Sequence, residues 1–147
     1  MSQALEMYNQ VGNEEFTKGV TAFAPYFATI DPMFVALKPG YAEVTLPNTP
    51  KVHNHLGTVH AIAMCNAAEL VAGTMTDASI PDTHRWIPKG MTVRYLIKAT
   101  SDLRAVSRGD GLDWNSEGDI DVPVSIYDTD DREVFTAVIT MKVSLKK

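Results

Sequence analysis

The stretch NHLGTVHAIAMCNAAELVAGTM, residues 54–75, sets how the rest of the chain must be arranged. From Val59 to Met75 it is rich in Ala, Met and Leu, which predicts a helix with Thr58 as its N-cap. Its polar side chains are only His60, Asn66, Glu69 and Thr74, and it contains no Lys or Arg. A surface helix carries an apolar stripe and a polar back, whereas a helix apolar nearly all round is buried. The small residues Ala61, Ala63, Ala67, Ala68, Ala72 and Gly73 let other backbones come close. A sheet wrapped around this helix is the expected arrangement.

Glu69 is then the odd residue. A buried carboxylate costs several kcal/mol unless it is paired or hydrogen-bonded. The positions three and four residues away are Cys65, Asn66, Ala72 and Gly73, so no cation pairs with it within the helix. Two readings stand side by side: an ion pair with a distant cation such as Arg85 or Arg94, or a catalytic base tuned by burial. The helix entrance carries a second candidate feature. Gly57-Thr58 makes a tight entry, and the first amides, near His60 and Ala61, lack intrahelical acceptors. Such amides suit a developing oxyanion, though capping by water or Thr58 is their commoner fate.

Outward from this helix the period changes. Phe34 to Lys38 and Tyr41 to Leu46 flank Pro39-Gly40 and predict two strands joined by a turn. Met91 to Ala99 alternates, Leu103 to Ser107 is short, and Ile120 to Asp128 contains Pro123, which implies an edge position or a bulge. Phe135, Ala137, Ile139, Met141, Val143 and Leu145 share one face of a last strand. The turn Thr129 to Arg132 joins it to its predecessor as a hairpin. Residues 1–30 predict helix, from Leu5, Tyr8, Phe16, Val20 and Phe23, with an interruption at Gly12-Asn13 and an end at Pro25 and Pro32. Helix, two strands, one long helix and four strands do not alternate as a parallel doubly wound sheet does. The prediction is an α+β fold in one domain, residues 1–147, with an antiparallel sheet around the central helix.

Composition narrows the function. At 147 residues, 45% hydrophobic and 21% charged, the chain is neither disordered nor fibrous. A net charge of −5 argues against nucleic acid as a partner. The single Cys65 excludes an internal disulfide or a Cys-based zinc cage. No apolar stretch is long enough for a bilayer, and the opening MSQALEMYNQVGNEEF has no secretory pattern, so a cytoplasmic protein without membrane contact is expected.

His53 and His55 form an H-x-H pair near His60, but no acid follows between Leu56 and Ala68 to complete a metal site. Asp113, Asn115, Glu117 and Gly118 mimic the start of a calcium loop, yet Val124 stands where its last acid belongs. That segment reads as a solvated acidic loop. Cys65 reads as a small core residue, and Lys89, Arg94 and Lys98 as ordinary surface cations.

Asn54-His55-Leu56-Gly57-Thr58-Val59-His60, followed by an Ala-rich helix with an acid fifteen residues after Asn54, resembles the hotdog-fold acyl-CoA thioesterases. The similarity is greatest to the phenylacetate-pathway, PaaI-like branch. The resemblance implies a hotdog core over residues 33–145 behind an N-terminal helical extension. It implies hydrolysis of an acyl-CoA thioester without metal or organic cofactor. Glu69 would be the base or nucleophile, Asn54 would orient the water or thioester, the Ala61 amide would polarise the carbonyl, and Gly57 and His60 would shape the turn. Two features depart from the pattern: His60-Ala61-Ile62 replaces a frequent His-Gly-Gly, and Pro88-Lys89-Gly90 stands where some relatives place a Ser or Thr. These departures leave a non-catalytic acyl-binding or assembly module as the alternative, and His60 leaves a hotdog dehydratase as a second.

A lone sheet around one helix leaves an edge uncovered, so a homodimer is expected, with a tetramer as a further possibility. Ala61 and Glu69 are eight residues apart, about 12 Å along a helix. One carbonyl cannot meet both within a chain, so the site is expected to be shared between two chains.

Overall fold

The computed structural model describes residues 2–147; Met1, the first residue of the expected helical extension, lies outside the described residues. Helix α1 spans Gln3–Phe23, capped by the Ser2 hydroxyl, which accepts from the Leu5 N–H at 3.0 Å. It breaks at Gly12, whose φ of 80° is open to glycine and strained for other residues. The break folds the helix back on itself. Met7 touches the space beside Gly19, although twelve residues of straight helix would separate them by about 18 Å. Tyr8 closes the bend by donating to Asn13 Oδ1 at 2.6 Å and by meeting Phe16 edge-on. A short 3₁₀ segment, Pro25–Ile30, leads to the first strand.

The strands are β1 (Met33–Lys38), β2 (Tyr41–Leu46), β3 (His84–Tyr95), β4 (Leu103–Arg108), β5 (Gly118–Tyr127) and β6 (Glu133–Leu145). They form one antiparallel sheet in the order β1-β2-β4-β5-β6-β3. Helix α2 (Ala61–Ser79) lies in its concave face. This is the expected hotdog arrangement. Alternation delivers the core: Ala42, Val44 and Leu46 from β2 and Ala137, Ile139, Met141 and Val143 from β6 point at α2. From α2 itself Ala67, Ala68, Leu70, Val71, Ala72 and Met75 are buried.

Three expected boundaries move. Helix α2 runs four residues beyond Met75, because its polar residues satisfy themselves inside the helix. Thr76 and Ser79 donate to the carbonyls of Ala72 and Met75 at 2.7 and 2.6 Å. Strand β3 begins at His84 rather than Met91 and ends at Tyr95 rather than Ala99. A register shift between Pro88 and Gly90 carries the strand past the residues that interrupt its alternation. Pro123 lies in a strand flanked on both sides, not at an outer edge. Its pairing with β4, however, covers only residues 125–127, and the Ser107 hydroxyl donates to the Pro123 carbonyl at 2.7 Å. A residue without an N–H therefore sits where the β4 side of the ladder has ended. Among the described residues no helix is long and apolar enough to cross a membrane.

Candidate functional site

The helix entrance is a closed turn. Asn54 N–H donates to the Thr58 carbonyl at 2.9 Å, and Gly57 N–H donates to the Asn54 carbonyl at 3.1 Å. Asn54 Oδ1 accepts the amides of Leu56 and Thr58 at 3.0 and 3.1 Å, while its Nδ2 donates to Thr58 Oγ1 at 2.8 Å. The carbonyl of Asn54 is thus committed to the loop, and one Nδ2 hydrogen remains for a ligand. Gly57 supplies the positive φ of 76° that the turn requires. Thr58 is consumed by Asn54, so it does not cap the helix.

The N-cap is His60. Its Nδ1 accepts the Ile62 amide at 3.0 Å, and its own N–H donates to the Val52 carbonyl at 2.7 Å. In a neutral ring this leaves the hydrogen on Nε2, so Nδ1 is not free to act as a base. Ala61 is the first helical residue, and its N–H has no acceptor among the described residues. Of the amides expected to be open, Ala61 stays open and His60 does not.

Glu69 lies two turns further on and is half-buried rather than fully enclosed. Among the described residues it has no hydrogen bond and no ion pair, with Arg85, Arg94 or any other cation. Glu69 lines a cavity of about 640 Å³ whose walls are mostly apolar, including Phe16, Val20, Phe27, Leu70 and Trp86, with Thr74 and Asp77 as the other polar residues. The structure therefore keeps Glu69 and the Ala61 amide at separate places on one helix, with Asn54 and Gly57 beside the latter.

The remaining candidates fall into ordinary roles. His53 Nε2 bonds with Asn48 Oδ1 at 2.7 Å, His55 is exposed, and among the described residues no three His, Cys, Asp or Glu side chains gather. Asp113 folds its own loop, accepting from Asn115 N–H and from the Ser116 hydroxyl, and those bonds hold its carboxyl below the usual range. Burial pushes the Cys65 thiol up, against a smaller opposing effect of the Tyr95 hydroxyl. Lys89 pairs with Asp119 at 2.9 Å.

Sequence reasoning missed the cavity's walls. Trp86 on β3 donates from Nε1 to Asp77 Oδ1 at 3.0 Å and lies across Gly73, where a Cβ would come within 2.8 Å of the indole. A glycine inside a helix is the one trace of this in the sequence, since it signals a close neighbour. Asn66, one of the few polar residues of the helix, has a structural role that its sequence position does not reveal. It is buried, its Nδ2 donates to the Tyr26 carbonyl and Thr29 Oγ1 at 3.3 Å, and it ties the 3₁₀ segment to α2.

Solved structures share this fold. The crystal structure of a genomics target is 61% identical, with a TM-score of 0.90 over 98% of this chain and 97% of that one. A thioesterase from Haemophilus influenzae is 12% identical, with a TM-score of 0.73 over 82% of each chain. A thioesterase family protein from Silicibacter pomeroyi is 16% identical, with a TM-score of 0.75 over 88% of this chain and 96% of that one. Among curated proteins none matches the sequence. A family model described as a domain of unknown function, DUF4442, matches residues 12–143, all but the two ends, and the chain belongs to that family.

Proposed function

We propose that the protein hydrolyses an acyl-CoA thioester, in sites that each draw on two copies of the chain. The observation that carries this reading is Glu69: a half-buried carboxylate with no partner among the described residues, set in the wall of a mostly apolar cavity in which the other carboxylate, Asp77, is bonded to Trp86. A structural carboxylate at such a place would be paired. A catalytic one is left free for water or the thioester.

The chemistry follows from two groups. Glu69 takes a proton from a water molecule, whose oxygen attacks the thioester carbonyl carbon. The carbonyl electrons move onto oxygen, where the Ala61 N–H at the helix N-terminus stabilises them. The tetrahedral species then collapses, the C–S bond breaks, and the thiolate leaves with the proton. Alternatively the Glu69 carboxylate attacks the carbonyl carbon, the C–S bond breaks as the thiolate leaves, and water hydrolyses the resulting mixed anhydride to the free acid and the Glu69 carboxylate. Incorporation of oxygen from labelled water into Glu69 during a single turnover would establish the anhydride route.

The separation of the groups requires a second chain. Eight residues of helix place Ala61 and Glu69 about 12 Å apart, whereas one carbonyl must lie within about 3 Å of its oxyanion donor. A two-fold axis brings Glu69 of one copy to the Ala61 amide and the remaining Asn54 N–H of the other.

Ala61→Pro removes only that amide, at the helix position where proline is best tolerated and after a residue already extended, His60 with ψ of 136°. Thiol release from an acyl-CoA panel is expected to fall about 10²–10³-fold in Ala61→Pro and about 10²–10⁴-fold in Glu69→Gln. Refolding the two variants together restores about a quarter of the sites if they are shared, since half the dimers are mixed and one site in each is intact. A mixture with verified mixed dimers that stays dead rejects the shared site.

A specific observation favours a second reading. The Asn54 carbonyl is spent on its own turn, which suits a non-catalytic acyl-binding module. Acyl-CoA binding without thiol release on short, long and aromatic substrates would decide for that module.

A further inference from the structure

The cavity beside Glu69 has a direction and an end. On α2 its lining residues are Glu69, Leu70, Gly73, Thr74 and Asp77, which repeat at helical spacing and form one face. The folded halves of α1 roof it. The 3₁₀ end of the roof is tied to the first half of α2 through Asn66 and the Tyr26 carbonyl. At the other end Ala4 stands against Asp77 and Trp86. A chain entering beside Glu69 therefore runs along α2 towards Asp77, eight residues and about 12 Å away.

Trp86 closes this path from Gly73 onwards, four residues and about 6 Å beyond Glu69. Its indole is held by the Asp77 carboxylate at 3.0 Å and packs onto the bare backbone of Gly73, so both its tilt and its depth are fixed. Behind it lies a second cavity of about 620 Å³, which Ala4, Asp77 and Trp86 also line. Its other walls include Ser2, Asp82, His84, Arg85 and Lys146. The indole thus stands between an apolar space and a polar one.

We propose that the space between α1 and α2 holds the acyl chain of the substrate, and that Trp86 is its floor. The occupant is a short straight acyl chain of about five carbons, because the ring lies about 6 Å beyond Glu69 and an extended alkyl chain advances about 1.25 Å per carbon, given C–C bonds of about 1.5 Å. A volume of about 640 Å³ falls among small-molecule sites, and beyond Glu69 the polar side chains in its walls are already engaged, Thr74 with the Leu70 carbonyl and Asp77 with Trp86. The α1 extension is then a specificity element: its Val20 and Ala24 set the bore of the site as Trp86 sets its length.

This assignment rests on Glu69 marking the thioester end, so its test is one that does not require turnover. Alkyl-CoA thioethers of 4 to 16 carbons cannot be hydrolysed, and they are titrated by calorimetry into the intact protein. Affinity is expected to rise about fourfold per methylene, up to about five carbons, and then to level or fall. Trp86→Ala should move the break to longer chains, and Val20→Trp should move it to shorter ones. If Val20→Trp does not fold, as judged by its melting curve, Ala24→Phe narrows the same space from a half-buried position.

An affinity independent of chain length overturns the proposal, as does a break point that neither Trp86→Ala nor the narrowing variant moves. Acyl-CoAs hydrolysed with no preference for length would leave the hydrolase reading standing and remove this one. Thioethers ranked by length, with no thioester cleaved, would do the reverse.

Discussion

Strands β1 and β3 are the two edges of the sheet, and they are finished in opposite ways. β1 is six residues long, bulged between Phe34 and Ala36, and covered by α1. The cover is chemical as well as steric: the Thr17 hydroxyl accepts the Phe34 N–H at 3.0 Å and donates to the Asn13 carbonyl at 2.7 Å. β3 is twelve residues long and none of them is buried. Ile87, Met91 and Tyr95 are 61%, 39% and 56% exposed. The strand carries Arg85, Lys89 and Arg94 and its own register shift at Pro88, yet its length and its exposed Ile87, Met91 and Tyr95 leave an edge that a second strand can pair with. The chain spends its N-terminal helix on β1 and the cavity wall and leaves β3 uncovered. If the proposed dimer pairs its two β3 strands, a second copy would cover this edge and the same two-fold axis would complete the sites.

The largest expected effect breaks this contrast at β3. Met91→Glu sets like charges close together across a two-fold axis between paired β3 strands. The variant should sediment as a monomer. Its thiol release should drop at least about a hundredfold, because each Glu69 loses the amide supplied by the other chain. A dimeric variant with the wild-type rate would show that β3 is not the interface.

At β1 the expected effect is on stability alone. Thr17→Val keeps the shape, removes the acceptor and strands the buried Phe34 N–H. The cost is about 1–3 kcal/mol, read as a lower urea midpoint, with the sedimentation of the dimer unchanged. An unchanged midpoint would mean that α1 covers this edge by packing only. A smaller effect is expected at Gly73→Ala, where two terms oppose. The helix gains about 1 kcal/mol, while a Cβ 2.8 Å from Trp86 forces the indole away at about 1–3 kcal/mol. The net should be a modest destabilisation with altered Trp86 fluorescence, and a clear gain in stability would show that the ring moves freely.

The two edges also show what the sequence makes legible. The hairpins β1–β2 and β5–β6 and the buried helix were readable because each is a local pattern: alternation around a turn, or an apolar run without a polar face. The break at Gly12 was readable for the same reason. The N-cap was not, since Thr58 is the better capping residue in isolation and only the Asn54 side chain, four residues earlier, removes it from that role. The start of β3 was hidden by Pro88 and Gly90, which a register shift against β6 absorbs. Of the candidate site, Glu69 stood out as an acid in an apolar helix. The walls of its cavity did not, because Phe16, Val20 and Trp86 look like any core residues until α1 folds back over α2. Which edge stays open is likewise a property of the assembled sheet, not of any one strand.

The smallest effect concerns how the open edge is anchored where β3 leaves the sheet. After Tyr95 the chain bends round the start of β6, with Leu96 N–H donating to the Val134 carbonyl at 2.9 Å. The start of β6 is set by the β5–β6 turn, and that turn is built on Asp128. Burial by itself would raise the Asp128 carboxyl. The N–H and guanidinium of Arg132, with the N–H of Asp130, outweigh burial and hold it below its ordinary 3.8. A lowered native value means that the ionised form stabilises the fold. The contribution is complete above the unfolded-state value and is lost as pH falls through the native one. Asp128→Asn keeps an oxygen for the two amides and removes the charge beside Arg132. Its melting temperature should therefore lie below wild type at pH 7, and the gap should close as the pH falls below 3.8. Hydrogen exchange should report the loss at Leu96, on the open side, and leave Phe34 under its α1 cover unchanged. A gap that persists unaltered in acid would assign the turn's stability to its backbone geometry and not to the Asp128 charge.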